Sequence, residues 1–292
     1  MMISGVTLIV TAYNHQSYIE QCLASIVDQT RLPERTIVID DASVDDTSFV
    51  IRSWLSANQQ GFEFIDHAKN LGLTRTLNEA LDMVQTDCYM HLSGDDWLAP
   101  TRVADQYAAL SSTESDIAAV VSDFIEVDEG GRTLAVHDVG ERLLARTGFD
   151  AHSEMFEALI ERNFVPAMAV MMKTAAVRSV GGYDEDLWFE DYDLWLRLSA
   201  RYGFIHDPHI ATYYRILNSG MTRTEDAKIR FLETEAKTVL KAVPHCKSTE
   251  LAVIHIESIA DQLLKSGAST EAERIRTELT AALSARSALS AQ

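Results

Sequence analysis

Two short acidic stretches hold the residues best suited to chemistry. In Cys88-Tyr-Met-His-Leu-Ser-Gly-Asp-Asp-Trp97 a short apolar run of strand character ends in a glycine and two adjacent carboxylates, Asp95 and Asp96. Neighbouring Asp side chains on an extended or turning backbone point in different directions, so one can hold a cation while the other receives a hydroxyl. Gly and Asp are also turn residues in their own right, and a plain turn accounts for the pair equally well. The second stretch is Gly181-Gly-Tyr-Asp-Glu-Asp-Leu-Trp-Phe-Glu-Asp-Tyr-Asp193. Leu194, Trp195, Leu198 and Tyr202 follow it at helical spacing, which puts Glu190 and Asp191 in the first turn of a helix, where the helix dipole favours carboxylates. Acids packed this densely between Asp184 and Asp193 repel one another, so some of them require a compensating cation.

The elements that must position these acids follow a regular rhythm. Val6-Thr-Leu-Ile-Val10 reads as a buried strand running into the polar turn Thr11-Ala-Tyr-Asn14, and Ile19, Cys22, Leu23, Ile26 and Val27 form one face of a helix. Arg35 to Asp41 is a second strand ending in acids, and Ala42 to Thr47 is a turn into a helix with Val50, Ile51 and Trp54 inward. Phe62 to Ile65 is a third strand, Asn70 to Thr76 a turn into a helix carrying Leu77, Ala80, Leu81 and Val84, and Tyr89 to Leu92 the fourth. Strand alternating with helix implies a parallel sheet with right-handed crossovers, and in such a sheet ligands sit beyond the carboxyl ends of the strands. Thr11 to Asn14, Asp40-Asp41 and Asp95-Asp96 are all expected there, in one crevice.

The winding stops after Ile117 to Ser122. A hairpin turning at Gly130-Gly131 follows, then a connection without periodicity over 137–150 and a helix over 153–162. Ala167 to Met172 reads as a strand, Thr174 as the cap of a short helix, and Phe204 to Ile216 as one long strand or a strand pair. From Glu225 onward the pattern is helical in three segments, broken at Pro244 and Gly267. Ala252, Ile256, Ile259 and Leu263 mark a face that could pack on the core, on a second copy as a homodimer, or on a partner enzyme.

Composition excludes several classes. A formal charge of −19 argues against nucleic-acid partners and against an electrostatic hold on anionic membranes. No apolar run approaches the ~20 residues of a transmembrane span, and the start lacks the features of a signal peptide, so a cytoplasmic location is expected. Cys22, Cys88 and Cys246 are too scattered for a zinc site or a disulfide framework. GxGxxG and GxxxxGK[ST] are absent, which disfavours a standard dinucleotide fold or a P-loop. A bound polyanion must then be met by local cations, backbone amides or a metal.

Taken in order, these stretches resemble the family 2 glycosyltransferases of the GT-A fold over residues 4–222. Val6-Thr-Leu-Ile-Val-Thr-Ala-Tyr-Asn14, Ser25-Ile-Val-Asp-Gln-Thr30, Ile39-Asp-Asp-Ala-Ser-Val-Asp-Asp-Thr47, Asn70-Leu-Gly-Leu73, Ser93-Gly-Asp-Asp-Trp97, Gly181-Gly-Tyr-Asp184 and Phe189-Glu-Asp-Tyr-Asp-Leu-Trp-Leu-Arg197 carry the likeness. It implies an α/β fold with a mainly parallel, mixed sheet flanked by helices. A glycosyltransferase domain would occupy 1–224, with a nucleotide-binding half (1–122) and an acceptor-binding half (123–224), and a helical extension 225–292. Thr11, Ala12 and Tyr13 would line the nucleoside pocket, Asp41 would accept from the imide of a uracil or thymine, and Arg75 would lie near the base or diphosphate. Asp95 would contact the ribose or sugar, Asp96 would bind the divalent metal, Mn2+ or Mg2+, and Asp191 would be the general base. Trp188 and Glu190 are candidates for the sugar and acceptor pocket, together with 137–166.

The activity so implied is inverting transfer of a hexosyl or N-acetylhexosaminyl group from a nucleotide sugar, UDP-linked by preference, to a glycan or lipid-linked acceptor at or near the inner face of a membrane, in polysaccharide biosynthesis. Two positions depart from the family pattern: Ser93 stands where many relatives carry the first Asp of a DxD, and Leu217 where many carry a histidine two residues after Arg215. They keep open a noncatalytic sugar-nucleotide-binding scaffold, while a sugar-nucleotide pyrophosphorylase is opposed by the lack of a Gly-rich, Lys-containing first loop. His206 and His209 read as surface or strand histidines.

Overall fold

The strand Ile3–Ala12 (β1) is buried continuously from Val6 to Ala12, the mark of a strand covered on both faces. A computed structural model describes the chain over residues 3–140, 152–217 and 224–290. β1 pairs in parallel with Arg35–Asp40 (β2) and with Thr86–Ser93 (β4), and β2 pairs in parallel with Glu63–Asp66 (β3). Helices Ile19–Val27 (α1), Thr47–Asn58 (α2) and Leu73–Met83 (α3) make the crossovers, burying the apolar positions that their 3.6-residue spacing brings to one face. The register aligns Ala12 with Asp40 and Thr11 with Ser93, so the carboxyl ends of β1, β2 and β4 open on one edge, as expected from the sequence.

Beyond β4 the sheet becomes mixed. After Trp97–Leu98 (β5) and Arg102–Ser111 (α4), the strand Ile117–Val127 (β6) turns back into Thr133–His137 (β7). His152–Glu161 (α5) precedes Val170–Lys173 (β8), which pairs antiparallel with both β4 and β6. Thr174–Ser179 (α6) and Asp191–Ser199 (α7) then lead into Gly203–Arg215 (β9), which lies parallel to β6 and antiparallel to β5. The strand order is β3-β2-β1-β4-β8-β6-β9-β5, with β7 joined to β6.

Of the two forms expected over Phe204 to Ile216, the chain takes the single long strand, Gly203–Arg215, whose register against β6 shifts around Ser122 and Asp123. Trp97-Leu98 forms a short strand antiparallel to β9, with the Trp97 ring stacked on Tyr213 at 4.8 Å and 7°. Ala167 to Ala169 is a 3-10 turn closed by the Ala169 N–H to Pro166 O bond, and the strand begins only at Val170. Much of the connection read over 137–150 lies outside the described residues.

Helices Glu225–Ala242 (α8), Glu250–Lys265 (α9) and Ser269–Ser290 (α10) match the three segments read from the sequence. Leu232, Val239, Ile256, Ile259 and Leu263 join one buried cluster with Leu159 of α5 and with Leu194 and Trp195 of α7. The other face of the sheet is covered by a second cluster, including Leu23, Ile26, Ile51 and Val103. Among the described residues, no helix is long and apolar enough to cross a membrane.

Candidate functional site

The turn after β4 is pinned from both sides. The Gly94 N–H donates to Thr11 O (2.8 Å) and the Asp96 N–H to Ser93 O (3.1 Å). A Cβ on Gly94 would stand 2.9 Å from both His15 Nδ1 and Ile19 Cδ1, so glycine is required here by close approach. The turn delivers Asp95, side chain 16% exposed, and Asp96, 1% exposed. Asp96 Oδ1 accepts the main-chain N–H of Arg215 (2.8 Å).

The Arg215 guanidinium donates to Asp95 O (2.8 Å), Glu129 O (2.6 Å) and Gln21 Oε1 (2.6 Å), between the rings of Tyr18 and Trp97. Burial, and after it the charge of Asp95, holds the Asp96 carboxyl well above the usual carboxylate range, with Arg215 opposing. A buried oxygen donor beside a second carboxylate, and under-compensated by its arginine, suits a hard divalent cation, whose charge would favour the ionised form.

The ends of β1 and β2 carry the residues expected to line a nucleoside pocket. Thr11 is buried and its Oγ1 lies 2.8 Å from His91 Nε2, whose imidazole burial pushes down to about 4, so it is neutral near pH 7. Ala12 is buried and its carbonyl accepts the Asp41 N–H (2.9 Å), while Tyr13 is 45% exposed at the open side. Asp41 is buried: Oδ1 accepts the Leu71 N–H (2.8 Å) and lies 2.8 Å from His67 Nδ1, and Oδ2 accepts the Gly72 N–H (2.9 Å). It therefore ties down the turn into α3, and since a carboxylate offers about four lone-pair sites, one remains for a ligand donor. Arg75, in the first turn of α3, is 56% exposed, with Nε 3.4 Å from Glu185 Oε2.

The second acidic stretch crosses toward this edge at the start of α7. Asp191 Oδ2 accepts from Asn163 Nδ2 (3.1 Å) and Oδ1 from the Tyr192 N–H (2.7 Å). Burial raises both Asp191 and Glu190, and with the neighbouring Asp191 charge added Glu190 is pushed up to about 8. Trp188 lies under the Arg230 guanidinium (4.9 Å), and Phe189 packs on Phe231 (4.5 Å), so this segment rests on α8. The compensation demanded by the crowded acids is also supplied by α8. Lys241 Nζ is 2.5 Å from both Asp184 Oδ2 and Asp193 Oδ1, and Arg197 Nε is 2.7 Å from Asp193 Oδ2.

Tyr214 links the two stretches. Burial pushes its phenol up to about 12, and the charges of Asp96, Asp95, Glu126 and Asp191 add to that in this order. Both acidic stretches thus lie within electrostatic reach of one side chain. Arg215, Tyr214, Asn163, Lys241 and His15 were not singled out from the sequence. Arg215 had a visible signal in Tyr214-Arg215, whereas Asn163 and Lys241 sit in unremarkable helical or loop context.

Away from this edge, ligand atoms of Asp123, Asp138 and His206 lie within 4.8 Å of one another, a set that could hold a metal. Asp123 Oδ1 is already engaged by His206 Nε2 (2.8 Å) and the Val139 N–H (2.8 Å), and His209 pairs with Asp207 at 2.6 Å.

Comparison with known proteins bears on the family and the fold. The protein is 28% identical over 199 residues to the amylovoran biosynthesis glycosyltransferase AmsE of Erwinia amylovora, covering 66% of this chain and 69% of that one. It is 25% identical over 245 residues to a chondroitin synthase of Escherichia coli, of which those residues are only 32%. Among solved structures, the mannosyltransferase PcManGT of Pyrobaculum calidifontis, in complex with GDP-Man and Mn2+, superimposes with TM-score 0.63 at 19% identity, over 99% of this chain and 79% of that one. S. aureus TarS 1-349 in complex with UDP-GlcNAc gives 0.61 at 17%, over 89% and 72%. These neighbours are GT-A glycosyltransferases, and their mixed sheet flanked by helices is the fold found here. The model of Glycosyl transferase family 2 matches residues 7–179, more than half of the chain, and with the ordered motifs and the fold this means that the chain belongs to that family.

Proposed function

We propose that this protein transfers a sugar, with inversion, from a nucleoside diphosphate donor, UDP-linked by preference, to a hydroxyl of a glycan or lipid-linked acceptor. The observation that supports the reading is the family match together with Asp96, buried beside Asp95 on the strand-end turn and held by the Arg215 main chain, which offers a candidate cation site. The charges of Asp96, Asp95 and Asp191 are all felt by the Tyr214 phenol. Residues 1–224 would form the transferring unit and 225–292 an extension of it.

Each residue has a task that its surroundings support. Asp41 would take the base imide on its remaining lone pair, and the exposed Tyr13 and Arg75 would flank the nucleotide. Asp96 would hold Mn2+ or Mg2+ through its carboxylate. Such an ion, when bound, neutralises the charge that grows on the departing diphosphate, a need that a chain of net charge −19 meets poorly with its own lysines and arginines. Asp191 would accept the acceptor hydroxyl's proton as its oxygen attacks the anomeric carbon. A carboxylate cannot ionise an alcohol beforehand, but burial raises Asp191 and brings its basicity closer to that task. Attack opposite the leaving nucleotide inverts the anomeric centre. Trp188 and Glu190 would flank the position of acceptor and sugar.

The experiment pairs binding with turnover. Nucleotide sugars with and without Mn2+ should raise the melting temperature of the wild type, because a ligand that binds only the folded state stabilises it. Asp191→Asn should keep that shift and lose transfer by at least about 100-fold, in the range of general-base contributions. If wild-type protein binds donor but transfers to no acceptor, the chain is a sugar-nucleotide-binding scaffold, and if no nucleotide shifts the melting temperature the site reading fails.

A further inference from the structure

Among the described residues, His15 is a sheltered side chain next to the Asp95-Asp96 turn whose ring makes no hydrogen bond within reach. It follows β1, its main-chain N–H is fastened to Thr47 Oγ1 (2.8 Å), and its side chain is 15% exposed. Nδ1 is buried and has no hydrogen-bond partner. Nε2 stands 3.9 Å from Asp95 Oδ2, beyond hydrogen-bond range. Other sheltered histidines differ. His67 reaches Asp41 (2.8 Å), His91 reaches Thr11 Oγ1 (2.8 Å), His206 reaches Asp123 (2.8 Å) and His255 reaches Ile160 O (2.7 Å). The 3.9 Å separation of Nε2 from Asp95 Oδ2, too long for a direct bond, is one that a bridging ligand atom or water would close.

The geometry points to a hydroxyl-reading pair: we propose that His15 Nε2 and Asp95 together grip one hydroxyl of the donor nucleotide sugar, the imidazole donating and the carboxylate accepting. This rests on the reading of the crevice as the nucleotide-sugar site. Nδ1 lies against Gly94 without a partner, so the hydrogen bonding of the ring falls to Nε2, which acts as the donor in this pair. An oxygen at about 2.8 Å from each partner fits a 3.9 Å gap. A hydroxyl can accept from one partner and donate to the other, whereas a phosphate oxygen cannot donate to Asp95. The ribose and the transferred sugar both supply such a group.

Calorimetric titration of the full chain in Mn2+ with UDP, 2′-deoxy-UDP, 3′-deoxy-UDP and UDP-N-acetylglucosamine tests this and separates the two sources. His15→Ala and His15→Asn, the latter too short to place a donor at Nε2, should bind about tenfold more weakly, the equivalent of one hydrogen bond. His15→Gln, which keeps an N–H there, should restore most of the affinity. If the hydroxyl belongs to ribose, UDP itself weakens and one deoxy analogue binds wild type and His15→Ala alike. If it belongs to the sugar, only UDP-N-acetylglucosamine weakens. Equal affinity of wild type, His15→Ala and His15→Asn for every ligand overturns the pair while leaving the nucleotide site standing, as does equal weakening of the Gln and Asn variants. Absence of binding by the wild type overturns both.

Discussion

The proposed base, Asp191, shows how neighbours set a carboxyl. Burial raises its carboxyl, while the Tyr192 N–H and the Asn163 amide stabilise the ionised form and hold it down. The base must be deprotonated to work, so a raised group keeps the enzyme inactive to a higher pH, and the acid limb of kcat/KM should lie above the ordinary carboxylate range. Removing a bond to the ionised form raises the group further. Asn163→Ala should therefore move that limb upward and lower kcat/KM roughly fivefold near neutrality, with much of the loss recovered at alkaline pH. A pH–rate profile decides it: an unmoved limb means that Asn163 does not position the base. Asp191 was picked out by the resemblance carried by Phe189 to Arg197, the local pattern alone showing only an acid in the first turn of an apolar helical face. Asn163 was not, since no local pattern says that a residue 28 positions away will donate to it.

At the scale of elements, the ends of β1, β2 and β4 were legible because each fact is local: an unbroken apolar run, a polar turn, a 3.6-residue stripe. What escaped the sequence is long-range. Arg215 at the end of β9 reaches Asp95 across 120 residues, and β5 pairs with β9, where Tyr213 stacks on Trp97. Gly94 belongs to both categories, visible as a turn glycine but needed for another reason. Its φ is not among the positive values, so the constraint is space beneath the turn rather than backbone conformation. Gly94→Ala would press a methyl on His15, Ile19 and Ala12 and lift the Asp95-Asp96 turn. The expected outcome is a stability loss of about 1–3 kcal/mol by chemical denaturation, with weaker Mn2+-assisted nucleotide binding. Unchanged nucleotide affinity would mean that the turn tolerates displacement.

Across the whole molecule, the C-terminal helices are tied to the base rather than merely appended. His255 of α9 bonds Ile160 O, Phe231 of α8 covers Phe189, and Lys241 of α8 bridges Asp184 and Asp193 on either side of Asp191. The sequence showed an acidic cluster in need of a cation but not where the cation would come from, because Lys241 is 48 residues away from Asp193. Asp193 is 3% exposed, so losing Lys241 leaves that buried carboxylate with Arg197 alone. Lys241→Met should cost about 1–2 kcal/mol of stability. Adding Asp193→Asn, which removes the uncompensated charge, should return part of it, and a double-mutant cycle measures the coupling. The same lysine variant should lower kcat more than it raises KM for donor, since the segment it anchors carries the proposed base and not the nucleotide contacts. If stability falls but kcat does not, α8 supports the fold without steadying Asp191.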